Sequence, residues 1–484
     1  MKTNEEAKRH LLALAEKAIE QLVEQLEEVK EGDLQHLEQA ILQSVMELGR
    51  QGMETILARS ARADKRFAPE EDRRGHRLRL VGYRERHVVT LMGRLTITRG
   101  YYHCEESKSQ NKQKQPMSGC PGIAPFDQHW GLTRSQTSPG VQRVVAKLAA
   151  RLTYEEVAET VEDVLPVRIS ARQVGEVIQP IGEAFLSQED QHVMQILEQG
   201  GEKHLSKEQK QEEQGPSIRR LYVELDGVMA RLRRGSVPME AQESEREGDV
   251  YREVKVGAAF VGEPGPERSE LVPGVFVDVP GPKWYVARRT TAEDFGPRLY
   301  ALARQTGVLR AQQVVILGDG AKWIWKLAEE QFPGAVQIVD EYHAREHVWE
   351  VARAAFAAEP DGRDSWAHQV IDWLSHGRVS EVIAAIEKLP PLAPAPGKTK
   401  SIQQTEAEYF RTNQQRMRYP VFRAQGMHLG SGIAEAACKT VVSTRAKRSG
   451  MRWTPEGLAT ILAVRTALLS QQFEQRWLVY CKGA

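Results

Sequence analysis

Two stretches decide the fold: Arg219–Val228, reading RRLYVELDGV, and Gln312–Ala321, reading QQVVILGDGA. Each is a short apolar run of the kind a sheet buries, and each leads into Asp-Gly, at Asp226-Gly227 and Asp319-Gly320. Between them, YREVKVGAAFVG (251–262) alternates as a strand and WYVARRTT (284–291) reads as another. TAEDFGPRLYALARQTG (291–307) has helical spacing. After the second Asp-Gly, AKWIWKLAEEQFPG (321–334) reads as a helix and AVQIVDEYH (335–343) as a further strand. Strands interleaved with helices predict an α/β layered core over 218–343.

A carboxylate at the C-terminal end of a buried strand points into the crevice where α/β sheets bind ligands. A following Gly lets the chain turn sharply and approach a ligand closely. Taken singly, Asp-Gly after a strand is a turn. If the two strands are neighbours, the carboxylates can share a divalent cation, since Mg²⁺ takes oxygen ligands and keeps waters for phosphate oxygens. A third carboxylate on a nearby helix completes a two-metal site. Glu435 is the candidate, a lone acid in the apolar helix IAEAACKTVV, with Lys439 one turn on along the same face. The tail STRAKRSGMRW adds Arg445, Lys447, Arg448 and Arg452 beside Trp453. Arginines grip phosphate bidentately and an aromatic stacks on an unpaired base.

Outward from this core the chain is helical. Residues 4–60 keep near-helical apolar spacing, broken at Gly32-Asp33. ERHVVTLMGRLTITRGYYH (85–103) alternates around Gly93 as a hairpin. Thr153 and Glu156 fit a capping box, Pro166 ends that helix, and Ser170 caps ARQVGEVIQPIG (171–182). The pair reads equally as a helical hairpin or a helix-turn-helix. Residues 187–217, rich in Gln, Glu and Lys, read as a solvated helix or linker with a domain boundary, and 344–430 as mainly helical. The organisation expected is therefore 1–80 helical, 81–186 hairpin and DNA-reading helices, 187–217 linker, 218–343 core, 344–430 all-α insertion, and 431–484 final helix and basic tail.

The 66 Lys and Arg balance 66 Asp and Glu, which argues against a uniformly basic nucleic-acid binder. Two local blocks stand out, Lys65–Arg99 with ten basic against four acidic residues and Lys398–Arg452 with eleven against three. No apolar run approaches the roughly 20 residues a bilayer demands, so no membrane partner is expected. The charged N-terminus lacks a secretory core, so the expected location is the cytoplasm, at the nucleoid. Cys104, Cys120, Cys438 and Cys481 are too sparse for a disulfide framework. His103, Cys104 and Cys120 could be the remnant of a zinc knuckle, but no C-x-x-C supports it.

The run LDG, GDGAKWIW, VDEYHAREH and GSGIAEAACKTVVSTRAKRSGMRW resembles the ISKra group of bacterial insertion-sequence transposases, relatives of the Mutator-like transposases. The resemblance runs from the hairpin near Tyr83 to the end and is strongest from Leu221 to Trp453. It implies an α/β RNase H-like catalytic core interrupted by an all-α insertion. It implies a DDE triad, with Asp226, Asp319 and Glu435 holding Mg²⁺, for which Mn²⁺ substitutes. Asp340 and His343 match an Asp-x-x-His signature on the strand after the second Asp, with His343 towards DNA or the scissile phosphate. The implied reaction is cleavage at the element's terminal inverted repeats, then attack of the freed 3′-hydroxyl on target DNA. Lys439, Arg445, Lys447, Arg448, Arg452 and Trp453 become the DNA-binding set, and joining two ends implies a homodimer or larger assembly. Relatives are expected to carry paired cysteines after Tyr101-Tyr102; their absence here puts an N-terminal zinc site in doubt.

Three alternatives stay open. One is a domesticated DNA-binding protein without turnover, another a structure-selective nuclease that cannot join ends. The third is a zinc peptidase using His343-Ala-Arg-Glu346-His347, an H-x-x-E-H pattern. Trp323 and Trp325, near Asp319, read as core or interface residues rather than as a base-stacking platform.

Overall fold

The computed structural model describes residues 2–27, 33–62, 78–104, 122–132, 135–198, 215–233, 250–268, 273–357, 359–394 and 396–482. Cys120, residues 65–77 of the first basic block and residues 199–214 of the expected linker lie outside the described residues. The chain divides into two compact units, Met1–Ile181 with Glu474–Ala484, and Gly182–Phe473.

The first unit opens with two long helices, α1 (Lys2–Glu27) and α2 (Leu34–Arg62). A hairpin follows, β1 (Leu78–Thr90) antiparallel to β2 (Gly93–Cys104), with Thr90 opposite Gly93. The alternation seen in the sequence puts Val88, Leu95 and Ile97 into a small core with Leu57 and Ala61 of α2. Two arginines of the basic block are consumed here. Arg86 and Arg99 both pair with the buried Asp127, at 2.7 and 3.0 Å. After α3 (Pro125–His129) and α4 (Pro139–Ala149) comes α5 (Tyr154–Val164), opened by the predicted capping box of Thr153 and Glu156. The next helix departs from expectation. It is not a short recognition helix but α6, running from Ala171 to Glu198 through Pro180. Its Arg172 is paired with Glu176 at 2.9 Å. Residues 187–198, read as a solvated helix or linker, are its last turns and fall in the second unit, where Glu189 and Asp190 meet Arg288 and Arg298.

The second unit is a mixed α/β assembly around one five-stranded sheet. Its strands are β3 (Ile218–Leu232), β4 (Val250–Arg268), β5 (Phe276–Arg288), β6 (Ala311–Gly318) and β7 (Val336–Val339). They lie in the order β5-β4-β3-β6-β7. β3 pairs antiparallel with β4 and parallel with β6; β4 and β5 are antiparallel, β6 and β7 parallel. The parallel connection between β3 and β6 includes α7 (Ala292–Thr306), capped by Thr291 and closed by Gly307 in the left-handed region, both ends as the sequence reads. α8 (Lys322–Gln331) joins β6 to β7.

The strand predicted over 335–343 is shorter than expected. β7 stops at Val339, and Asp340 caps the helix Glu341–Ala355. An aspartate that accepts two amides of a first turn favours helix over a continued strand. Helices Pro360–Ser375, Val379–Glu387, Ile402–Asn413 and Tyr419–Ala424 follow. Their buried residues, among them Val370, Leu374, Ile386 and Phe410, form one continuous core with Leu221, Val223 and Ile316 of the sheet. The all-α segment is thus part of the same core and not a separate domain. No described helix is long and apolar enough to cross a membrane.

Candidate functional site

Asp226 does not end its strand, as the sequence suggests. β3 continues to Leu232 because β4 stays paired with it, from Gly227 opposite Lys255 to Leu232 opposite Val250. On the other side, pairing with β6 stops at Glu224 opposite Leu317. Asp226 therefore stands where β3 loses one neighbour. Extending the same parallel register by two residues brings it level with Asp319, the first residue past β6. The crevice is a gap between strands of unequal length, and both acids border it.

Each acid is oriented locally. Asp226 Oδ1 accepts its own Gly227 amide at 2.6 Å, and the Cys438 thiol donates to the same carboxylate. Asp319 Oδ1 accepts the Ala321 amide at 2.8 Å. Burial pushes the Asp226 carboxyl above its ordinary range and the Asp319 charge adds to this. The Cys438 and Gly227 hydrogen bonds and His343 act in the opposite sense. Burial, together with Asp226, Glu253 and Glu435, pushes the Cys438 thiol well up, so it stays a protonated donor. Gly227 is not in the left-handed region, so the turn does not require it. A Cβ there would collide with the Glu253 carboxylate, which pairs with Lys255.

The segment Gly432–Ala437 packs on β3 and β4 and carries Glu435, which is exposed. It passes directly into a π-helical stretch, Cys438–Ser443. Glu435 and Cys438 are separated by three residues, so they share a helical face, and the Cys438 thiol feels both Asp226 and Glu435. The charges of Asp319 and His343 act on Asp226, and those of Asp226 and Glu435 on Cys438. Asp226, Asp319 and Glu435 do not bring three ligand atoms within 4.8 Å of one another. Among the described residues, the His, Cys or carboxylate ligand atoms that come within 4.8 Å of one another in a group of three belong to His347, Glu350 and Glu406.

The helical segment reaches the site through Tyr409. Its hydroxyl donates to the Asp319 carbonyl at 2.8 Å, and its ring lies where a Cβ on Gly320 would stand. Gly320, at φ +103°, is the glycine this turn requires. His347 stacks on the same ring at 3.9 Å while its Nδ1 contacts Glu406 at 2.6 Å. His347 therefore faces Glu406, and His343 meets the His347 ring edge-on at 5.1 Å, with its Nδ1 3.7 Å from Glu346 and its charge acting on Asp226. The H-x-x-E-H residues do not gather as one zinc-ligand set.

The basic tail splits in two. Lys439, Lys447 and Arg452 are exposed and Arg448 is half-buried. Arg445 and Trp453, expected as DNA contacts, are 1 % and 8 % exposed. Trp453 joins the end of β3: its amide donates to Arg231 and its carbonyl accepts from Arg233, at 3.2 and 2.8 Å. Its indole N–H donates to Ala446 and the Arg445 guanidinium lies over its ring at 5.0 Å. Backbone pairing with a core strand carries Trp453 inward, and Arg445 covers it. Trp325 is buried and Trp323 packs on the core, as the bland reading of those residues has it.

Sequence reasoning missed Glu224, Cys438, Glu253 and Tyr409. Glu224 had a signal: two residues before Asp226, it shares that strand face. Tyr409 had none, being 90 residues from the carbonyl it holds. Neither a scan against protein-family models nor a search of curated proteins returns a match for this chain.

Proposed function

We propose that this chain is a DNA transposase of the DDE type with an RNase H-like core. The observation that carries the reading is the β3–β6 register, which sets Asp226 level with Asp319 at the end of a neighbouring parallel strand. A mixed sheet with two acids on its central parallel strands, then a helical segment, then a third acid on a following helix, supports this core over other α/β arrangements.

The donor set fits a hard divalent cation. Two like-charged carboxylates face one crevice, and the Asp319 charge already raises the neighbouring Asp226 carboxyl. Asp226, Asp319 and Glu435 would hold the ion, and Mg²⁺ or Mn²⁺ bound there supplies Lewis acidity to a phosphodiester and its attacking oxygen. The protein's own contribution is orientation. Cys438 fixes the Asp226 carboxylate, Ala321 and Tyr409 fix the Asp319 turn, and exposed Lys439 offers a point charge to a DNA phosphate. Lys447, Arg448 and Arg452 would add to that contact, and His343, whose charge acts on Asp226, would meet a bound phosphate. Terminal repeats, target DNA and a second copy of the chain are the partners in this reading.

A plasmid carrying the gene's native flanking DNA, purified protein and Mg²⁺ tests it, with Glu435→Gln as control. Cleavage at the ends and joined products, both lost in the control, are expected. Specific binding without cleavage identifies a DNA-binding protein without turnover. Cleavage without joining identifies a nuclease.

A further inference from the structure

Glu435 is carried in the first turns of a helical run, six α-helical residues that pass into a π-helical stretch. Its preceding residue, Ser431, makes no side-chain cap. The first amides of that helix are met from elsewhere. Glu224, wholly buried on β3, accepts the Ala434 N–H through Oε2 at 2.8 Å. Asp340 reaches the same turn from the end of β7. Its Oδ2 accepts both the Ser431 amide, at 2.6 Å, and the Ser431 hydroxyl, while Oδ1 caps the helix that follows β7. The other Glu224 oxygen has no hydrogen-bond partner; His428 Nε2 stands 3.9 Å away. Glu224 lies two residues before Asp226 on the same strand face, and Ala434 lies one before Glu435. One rigid strand therefore carries an acid of the site and, through Glu224, the tether of another.

We infer that Glu224, assisted by Asp340, is a positioning residue for Glu435, fixing the short helix against the strand that bears Asp226. This rests on the metal-site reading above. An unsupported amide in this buried place would let the helix shift or fray. Outer groups that orient a ligand typically govern metal affinity by about 10- to 100-fold.

The test uses the full chain and Mn²⁺ alone, titrated by calorimetry, with amide hydrogen exchange of 431–436 followed in parallel. Glu224→Met keeps the volume and removes the acceptor; Glu224→Gln keeps an acceptor oxygen. Glu224→Met is expected to weaken Mn²⁺ binding by about tenfold and to speed exchange at Ala434, with Glu224→Gln close to wild type. In a Glu435→Gln background, Glu224→Met should weaken binding no further, because it acts through Glu435. Should Glu224→Met fail to fold, Ser431→Ala takes its place, removing the hydroxyl bonded to Asp340. It should weaken Mn²⁺ binding in the wild-type background and not beside Glu435→Gln. Wild-type affinity in the folded variant, or losses that multiply in the double variant, would overturn the inference alone. Wild-type affinity in Asp226→Asn would overturn the metal site itself and the inference with it.

Discussion

The two strand-borne acids and the helix-borne one are held in different ways. Asp226 and Asp319 inherit their positions from a sheet ladder whose parallel register is continuous from Ile218 to Glu224. Glu435 depends on a six-residue helix that runs into a π-helical turn and is tied by side chains from β3 and the end of β7. Ladder positions change only if the sheet does. A tethered helix can be tuned or displaced by one substitution. π-helical turns are rare, and they recur where a helix has to present a functional side chain. Here Arg465 supports that turn by donating to the Thr440 carbonyl at 2.9 Å.

The comparison is broken most severely at the strands. Asp226→Asn or Asp319→Asn should reduce end cleavage by at least about a thousandfold, as removal of a charge-stabilising group at a reacting centre does. The same Asp226→Asn should raise the melting temperature of the metal-free protein, because burial and Asp319 both disfavour the charged carboxylate. A melting curve unchanged or lowered would mean the pair is not electrostatically strained.

Next in size is the tail. Arg445→Ala should destabilise by about 3–5 kcal/mol, since a buried cation packed over Trp453 is removed and a large void remains. Lys439→Ala and Lys447→Ala should leave the melting temperature alone. Each should lower the salt-dependence slope of DNA binding by about one. Binding loss at native stability in Arg445→Ala would return Arg445 to the DNA-facing set.

Tyr409→Phe sharpens the link between the helical segment and the sheet. It removes the donor to the Asp319 carbonyl and should cost about 1–2 kcal/mol, read by denaturant melts. A loss confined to turnover would instead assign Tyr409 to the chemistry.

The smallest effect is on pH. Burial lowers the His428 pKa from 6.5, with Asp340 and Asp278 opposing. The folded state then binds fewer protons than the unfolded one. Its contribution to stability is complete above pH 6.5 and declines as pH falls from there towards the lower folded value. His428→Gln should flatten that decline; an unchanged slope assigns it to other groups.

Much of this was legible locally. The apolar runs before Asp226 and Asp319, the Thr153 capping box, the Thr291 and Gly307 helix ends and the alternation around Gly93 are short-range signals, and each stands where it was read. The helix read over 171–182 runs on through Pro180 to Glu198, into the stretch that reads as a solvated helix or linker. The shortened β7 failed because Asp340 had a competing use as a cap.

By itself, the sequence determined which segments carry acids, which are apolar enough to be buried, and where most helices begin. Only the tertiary structure decided, by packing and not by local sequence, that β3–β6 pairing stops two residues before Asp226 and that Tyr409 closes on Gly320. It alone buried Arg445 beneath the basic tail and assigned Glu224 to the amide before Glu435. The reason is physical. Periodicity and capping act within a turn or two of chain, whereas register, burial and long-range hydrogen bonds are set by which elements pack together.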